Sequence, residues 1–159
     1  MERKMDRVEK AKELFLAGFN CSQAVFAAFA DKYGIDEKTA LKLAASFGGG
    51  IGRMREVCGA VSGMVMVCGM ETGCTEAEDR EGKAKNYEMT RKLTETFQEM
   101  NGSIICRELL SLRKEEKGGD PEERTKNYYL GRPCLKMVMD AAILLEKEFG
   151  SAENIEAEE

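Results

Sequence analysis

Residues 48–70 read GGGIGRMREVCGAVSGMVMVCGM, a glycine-rich loop followed by a run of small and apolar residues. Glycine takes positive φ angles without strain, so residues 48–52 predict a tight connection between helices. Beyond it, apolar residues recur at the spacing of one helix face: Val57, Val61, Met64, Val65 and Cys68. Gly59 and Gly63 remove side-chain bulk from another face. The stretch therefore predicts a helix that a neighbouring element approaches closely.

Helical periodicity continues on both sides of this stretch, and strand-like alternation does not persist anywhere long enough to suggest a sheet. Asn20 and Gln23 have the spacing of a capping box, as do Thr75 and Glu78. Pro133 fits the first position of a last helix, where its missing N–H is tolerated. We therefore predict an all-α protein, a multi-helix bundle with a glycine-rich loop before a small-residue helix.

The length of 159 residues suits one domain that buries about 70% of the surface of its unfolded chain. No linker or internal repeat divides the sequence. We expect a single helical domain over residues 1–150 and an acidic, frayed tail over residues 151–159.

The charge distribution excludes several classes of partner. The net charge is −5, and basic residues are interspersed with acidic ones rather than gathered into tracts, so nucleic-acid binding is not indicated. The N-terminus lacks the apolar core of a signal peptide, and no apolar run approaches the roughly 20 residues that cross a bilayer. We expect a soluble cytoplasmic protein without a membrane partner.

The chain has six cysteines and no histidine. Without imidazole there is no Ser-His or Cys-His catalytic pair and no histidine metal ligand, so thiols are the main reactive groups. Thiols are kept reduced in the cytoplasm, where they are more often catalytic, redox-sensing or metal-binding than structural. No C-x-x-C pair occurs, so any site must be assembled by the fold from distant segments.

Four of the cysteines are predicted in or beside the first turn of a helix: Cys21, Cys58, Cys106 and Cys134. Free backbone N–H groups and the helix dipole favour the thiolate at such positions. The thiolate is the nucleophile and the metal ligand. Cys68 lies on an apolar stripe and Cys74 in a loop. These two could form a pair or supply an extra ligand, but a core thiol and a loop thiol are the simpler interpretation.

The ordered set of Cys21, the segment Cys58-Gly59-Ala60-Val61-Ser62-Gly63, Cys106 and Cys134 resembles the family named for the signature C…GCAxxG…C…C, described as redox-active proteins. The resemblance covers residues 15–142. This chain departs from the signature by placing cysteine before glycine at positions 58 and 59. The resemblance implies a small helical redox protein. A similar cysteine module in certain multihaem cytochromes is associated with an iron–sulfur cluster, although haem itself is not implied here.

Three functions remain open at this point. The first is an iron–sulfur cluster for electron transfer, held by the four helix-start cysteines, which could instead bind structural zinc. The second is thiol–disulfide exchange, as an enzyme or a redox sensor, with Cys58 as the preferred nucleophile and Cys21 as the second catalytic thiol. The third is a non-catalytic helical interaction module. The redox partner is unknown in each case.

Two further features give weaker predictions. Arg53 and Arg55 follow the glycine loop and could hold an anion at a helix start, although the loop matches no nucleotide-binding motif. The small-residue face at Gly59 and Gly63 also permits self-association, which would make a homodimer with sites near the interface.

Overall fold

The computed structural model describes residues 6–111, 123–126 and 133–150, and it gives the bounds of seven α-helices within these ranges. The helices are α1 (Arg7–Leu16), α2 (Cys21–Phe29), α3 (Glu37–Ala44), α4 (Gly59–Thr72), α5 (Arg80–Asn101), α6 (Cys106–Leu109) and α7 (Cys134–Phe149). Short 3-10 turns extend α2 and α3 over Ala30–Tyr33 and Ala45–Phe47. These ranges contain no strand, which confirms the all-α prediction. The expected tail at 151–159 lies outside them.

Helix α4 is central, and it packs against α2, α5 and α7. The core takes one large, fully buried side chain from each of four helices: Phe15, Met64, Phe97 and Leu145. Each of these contributes roughly 1.5–3 kcal/mol through removal of apolar surface from water. None of the helices in the described ranges is long and apolar enough to cross a membrane.

The glycine face of α4 packs against the start of α2. A Cβ atom at Gly59 would stand 3.2 Å from Cβ of Cys21, and one at Gly63 would stand 2.9 Å from the carbonyl oxygen of Ser22. The close approach predicted from these glycines is therefore made by another helix of the same chain. The homodimer stays a prediction.

Helix caps follow the sequence signals in part. Asn20 and Gln23 form the predicted capping box, with backbone-to-side-chain bonds of 3.0 and 3.1 Å. The capping box predicted at residues 75–78 is wrong, because α5 begins later and is capped by Asp79, whose carboxylate accepts from the N–H of Gly82 at 2.8 Å. Pro133 is the N-cap of α7, one position before the predicted one.

The glycine-rich loop winds in the left-handed sense. Every residue from 49 to 53 has a positive φ, between 53° and 71°, and Arg55 follows with 61°. Glycine adopts this region freely, but Ile51, Arg53 and Arg55 do so at a cost of about 1–2 kcal/mol each. Backbone hydrogen bonds hold the winding, from the N–H groups of residues 52, 55 and 56 to the carbonyls of residues 46, 49 and 50. Positive φ angles were predicted for the glycines, and they also occur at the non-glycine residues Ile51, Arg53 and Arg55.

Candidate functional site

The four helix-start cysteines stand where the sequence predicted. Cys21, Cys106 and Cys134 are the first residues of α2, α6 and α7, and Cys58 is the N-cap of α4. All four line one cavity, and none is in a disulfide. The fold therefore brings together four thiols that are spread over more than 110 residues of sequence.

A short antiparallel bridge brings together the two chain segments that contain Cys58 and Cys106. Val57 pairs with Ile105, so the N–H of Cys58 donates to Ile104 at 2.7 Å and the N–H of Cys106 donates to Glu56 at 2.6 Å. Outside the bridge, the guanidinium of Arg107 forms an ion pair with the carboxylate of Glu56 at 2.7 Å. These contacts fix the starts of α4 and α6 side by side.

The other two cysteines meet across the cavity. The Cys21 and Cys134 thiols are neighbours, and the interaction with Cys134 is the largest cause of the raised pKa of Cys21. Cys21 is held in place by the Asn20 cap, whose amide nitrogen donates to the carbonyl of Ala45 at 2.9 Å. Because Gly59 has no side chain, the backbone of α4 passes directly beside Cys21. The glycine after Cys58 therefore lets α2 and α4 place their cysteines at one cavity.

The cavity wall opposite α4 is the left-handed loop. Gly49 and Gly50 line it, and a Cβ atom at Gly50 would lie 2.7 Å from both Cβ of Cys106 and the N–H nitrogen of Glu56. The cavity has a volume of about 50 Å³. That volume takes a few waters or a small inorganic group.

Arg55 is a buried cation at this site. Its side chain lines the cavity and is only 4% exposed, and one terminal nitrogen lies 3.7 Å from the sulfur of Cys106. Its Nε is buried without a hydrogen-bond partner among the described residues. A buried charge is costly unless an opposite charge accompanies it. The surroundings of Arg55 therefore suit a site that becomes negatively charged when it is filled.

Three helices direct their N-terminal ends at the cavity, namely α2, α4 and α7. The starts of α4 and α7 have no side-chain cap. Uncapped N–H groups and the helix dipole stabilise negative charge within the first turn. Together with the Arg55 guanidinium, these helix starts favour negative charge in the cavity.

The preference for the thiolate predicted at helix starts is outweighed by other effects at Cys21 and Cys58. The interaction with Cys134 and burial hold the pKa of Cys21 well above its usual value. Burial raises the pKa of Cys58 to about 12, although the backbone N–H groups of Val61 and Ala60 act in the opposite direction. Desolvation outweighs the helix terminus, so these thiols stay protonated at neutral pH unless a cation joins them.

The described residues contain no group of three or more cysteine or carboxylate side chains placed to hold a single metal ion. The four helix-start thiols nevertheless line the same cavity. Cys68 and Cys74 take no part in it: Cys68 is fully buried beside the hydroxyls of Thr72 and Thr90, and Cys74 lies half-buried next to carbonyl oxygens of its own loop.

Sequence reasoning missed some of the lining residues. Arg124 reaches the cavity from a segment without helical periodicity, and its guanidinium stacks 4.9 Å from the centre of the Phe15 ring. Arg55 was predicted only as a possible anion ligand together with Arg53, which does not line the cavity. No sequence signal distinguishes the two arginines, because their roles depend on how the left-handed loop turns.

Fold and site together define a small all-α protein with a buried four-cysteine site. The chain belongs to the family described as "Putative redox-active protein (C_GCAxxG_C_C)", whose model matches residues 19–148. No curated protein and no solved structure matches the chain. The matched range includes all four cavity cysteines. Cys58 lines the cavity together with the other three cysteines, which is consistent with matching it to the central cysteine of the signature despite the exchanged order.

Proposed function

We propose that this redox-active protein carries an iron–sulfur cluster for electron transfer, with Cys21, Cys58, Cys106 and Cys134 as its ligands. The observation that carries the proposal is that four cysteines, remote in sequence, line one largely buried cavity. Four cysteine thiolates are the usual complement of [2Fe–2S] and [4Fe–4S] clusters. Such a cluster, when bound, accepts and releases single electrons.

The charges around the cavity support this choice. Four thiolates and a cluster carry net negative charge, which the Arg55 guanidinium and three helix N-termini offset. The backbone N–H groups of Val61 and Ala60 act to lower the pKa of Cys58, so they favour its thiolate. Hydrogen bonds and cations beside sulfur stabilise the more negative, reduced state, so these groups raise the reduction potential.

Structural zinc is the weaker candidate for the same residues. Four cysteine thiolates suit zinc as well as an iron–sulfur cluster. Zinc has no redox chemistry, however, whereas the family is described as redox-active.

A dithiol is the second candidate, because the Cys21 and Cys134 thiols are already neighbours. In that reaction the Cys21 thiolate attacks one sulfur of a partner's disulfide and releases the other as a thiolate. Cys134 then attacks the mixed disulfide, leaving a Cys21–Cys134 disulfide and a second partner thiol. The partner gains two electrons and two protons, and the dithiol loses them. Burial disfavours the attacking thiolate, which places this candidate second.

Anaerobic reconstitution distinguishes the candidates. The purified chain is incubated with ferrous iron and sulfide, or in parallel with zinc, and then desalted. We expect iron and acid-labile sulfide to remain bound, with visible absorbance that bleaches on reduction. Retention of zinc but not of iron contradicts the proposal. Loss of both metals, together with a reversible Cys21–Cys134 disulfide found by mass spectrometry, replaces it with the dithiol.

A further inference from the structure

Four exposed apolar side chains cluster in the segment that walls the cavity. We call them the loop patch: Leu43, Phe47, Ile51 and Met54, each between 36% and 51% exposed. Backbone hydrogen bonds link the last three, from the N–H of Ile51 to Phe47 at 3.2 Å and from the N–H of Met54 to Ile51 at 2.9 Å. Grouped exposed apolar residues with charged neighbours are typical of interaction sites.

The charged side chains within the patch segment are basic. Residues 38–54 contain Lys38, Lys42 and Arg53 and no acidic residue, and exposed Asp36 and Glu37 precede them at the start of α3. Lys38 and Lys42 are exposed and stand one helical turn apart on α3. An apolar patch flanked by exposed cations is complementary to an acidic surface.

The loop patch lies against the wall of the cysteine cavity. Gly50 is buried and lines the cavity, and the next residue, Ile51, is exposed, so about 3.8 Å of backbone separates the two. The carbonyl of Phe47 stands 3.2 Å from where a Cβ at Gly59 would be, and Gly59 also lines the cavity. A protein seated on the patch would be one loop away from the four thiols.

Neither packing nor backbone preference accounts for Ile51. It is β-branched, and its φ of 66° is a conformation that β-branched residues rarely adopt. Its side chain is 42% exposed, so little burial compensates for the strain. Residues held in strained conformations cluster at binding and active sites.

We propose that the loop patch docks an acidic electron-transfer protein. Leu43, Phe47, Ile51 and Met54 supply the apolar contact, and Lys38, Lys42 and Arg53 supply the surrounding positive charge. A single electron passes between the partner's redox centre and the cysteine site, so one is oxidised as the other is reduced. A second copy of the chain fits less well, because a two-fold contact through the patch would bring the same cations together. The electron transfer rests on the proposed function, whereas docking needs no cofactor.

The test uses a plant-type [2Fe–2S] ferredoxin as an acidic, one-electron probe, titrated against the chain with and without reconstituted cofactor. We expect binding at about 20 mM salt that is largely lost at about 200 mM, as for a surface electrostatic contact. Reversing two charges, Lys38→Glu with Lys42→Glu, is expected to weaken binding by about tenfold or more. Lys85→Glu, on exposed helix α5, is the matched control and is expected to have little effect.

Ile51→Gly separates docking from folding. Glycine relieves the positive φ, so the thermal midpoint is expected to stay or rise while binding weakens. Absence of ferredoxin binding at low salt overturns the proposal, as does an equal loss of binding in the patch variants and in Lys85→Glu. Salt-independent self-association through the patch overturns it too, and so does tighter binding to anionic phosphatidylglycerol vesicles than to ferredoxin. If the chain binds ferredoxin but retains no iron after reconstitution, docking is supported and the cluster is contradicted. If the chain retains a cluster but does not bind ferredoxin, the cluster is supported and docking is contradicted.

Discussion

Replacing Gly50 by alanine tests how tightly the left-handed loop is fitted to the cysteine site. The residue has a φ of 71°, which costs alanine about 1–2 kcal/mol. The added Cβ would also meet Cβ of Cys106 and the nitrogen of Glu56 at 2.7 Å, closer than Cβ atoms approach in proteins. Overpacking of this kind costs roughly another 1–3 kcal/mol. We expect Gly50→Ala to lower the free energy of unfolding by about 2–5 kcal/mol.

Gly52→Ala provides the matched control. Gly52 also has a positive φ, 53°, but a Cβ there would meet nothing within 4 Å. We expect it to lose only the conformational part, about 1–2 kcal/mol. In urea unfolding of the reduced, metal-free protein, with a slope of about 2 kcal/mol per molar, the midpoint should fall by about 1–2.5 M for Gly50→Ala and by about 0.5–1 M for the control. An equal loss of stability in Gly50→Ala and Gly52→Ala would refute the close contact between the loop and Cys106.

Three other predictions concern charge and capping. Because the native pKa of Cys58 is about 12 and its ordinary value is 9.0, the unfolded state loses this proton first as pH rises. The free energy of unfolding of the metal-free protein, measured in urea, should therefore fall above pH 9 by up to about 1.4 kcal/mol per pH unit, and Cys58→Ala should flatten that fall. Arg55→Met removes a buried charge, so the metal-free protein should be at least as stable in thermal unfolding. The same change should weaken iron retention about tenfold or more. Lower thermal stability with unchanged iron retention would contradict the role given to Arg55. Asn20→Ala should cost about 1.5–3 kcal/mol in urea unfolding, whereas Asn20→Asp, which keeps the cap and loses only the bond to Ala45, should cost about 1 kcal/mol.

Local signals were enough to predict where the four cysteines lie on their helices. Asn20 is a strong N-cap, so the start of α2 could be predicted to the residue. The glycine run at residues 48–52 likewise predicts a turn before α4. At α5, however, Asp79 caps the helix instead of Thr75, because several good capping residues stand close together and only the fold selects one.

What the sequence could not predict depends on long-range contacts. The bridge between Val57 and Ile105 joins two segments that are each too short to show strand periodicity. The protonated state of Cys58 follows from burial by other parts of the chain, which a helix-start argument does not include. The burial of Arg55 beside Cys106 requires a left-handed backbone at residues that ordinarily avoid it.

The most direct test of the account is the iron and sulfide content of five reconstituted single variants. Four of them change the cavity cysteines to alanine: Cys21→Ala, Cys58→Ala, Cys106→Ala and Cys134→Ala. The fifth, Cys74→Ala, changes a half-buried thiol outside the cavity. The account predicts that each cavity variant retains much less iron and sulfide than the unsubstituted chain, while Cys74→Ala retains the full amount. Full retention by any cavity variant, or an equal loss in Cys74→Ala, would contradict a cluster held by these four cysteines.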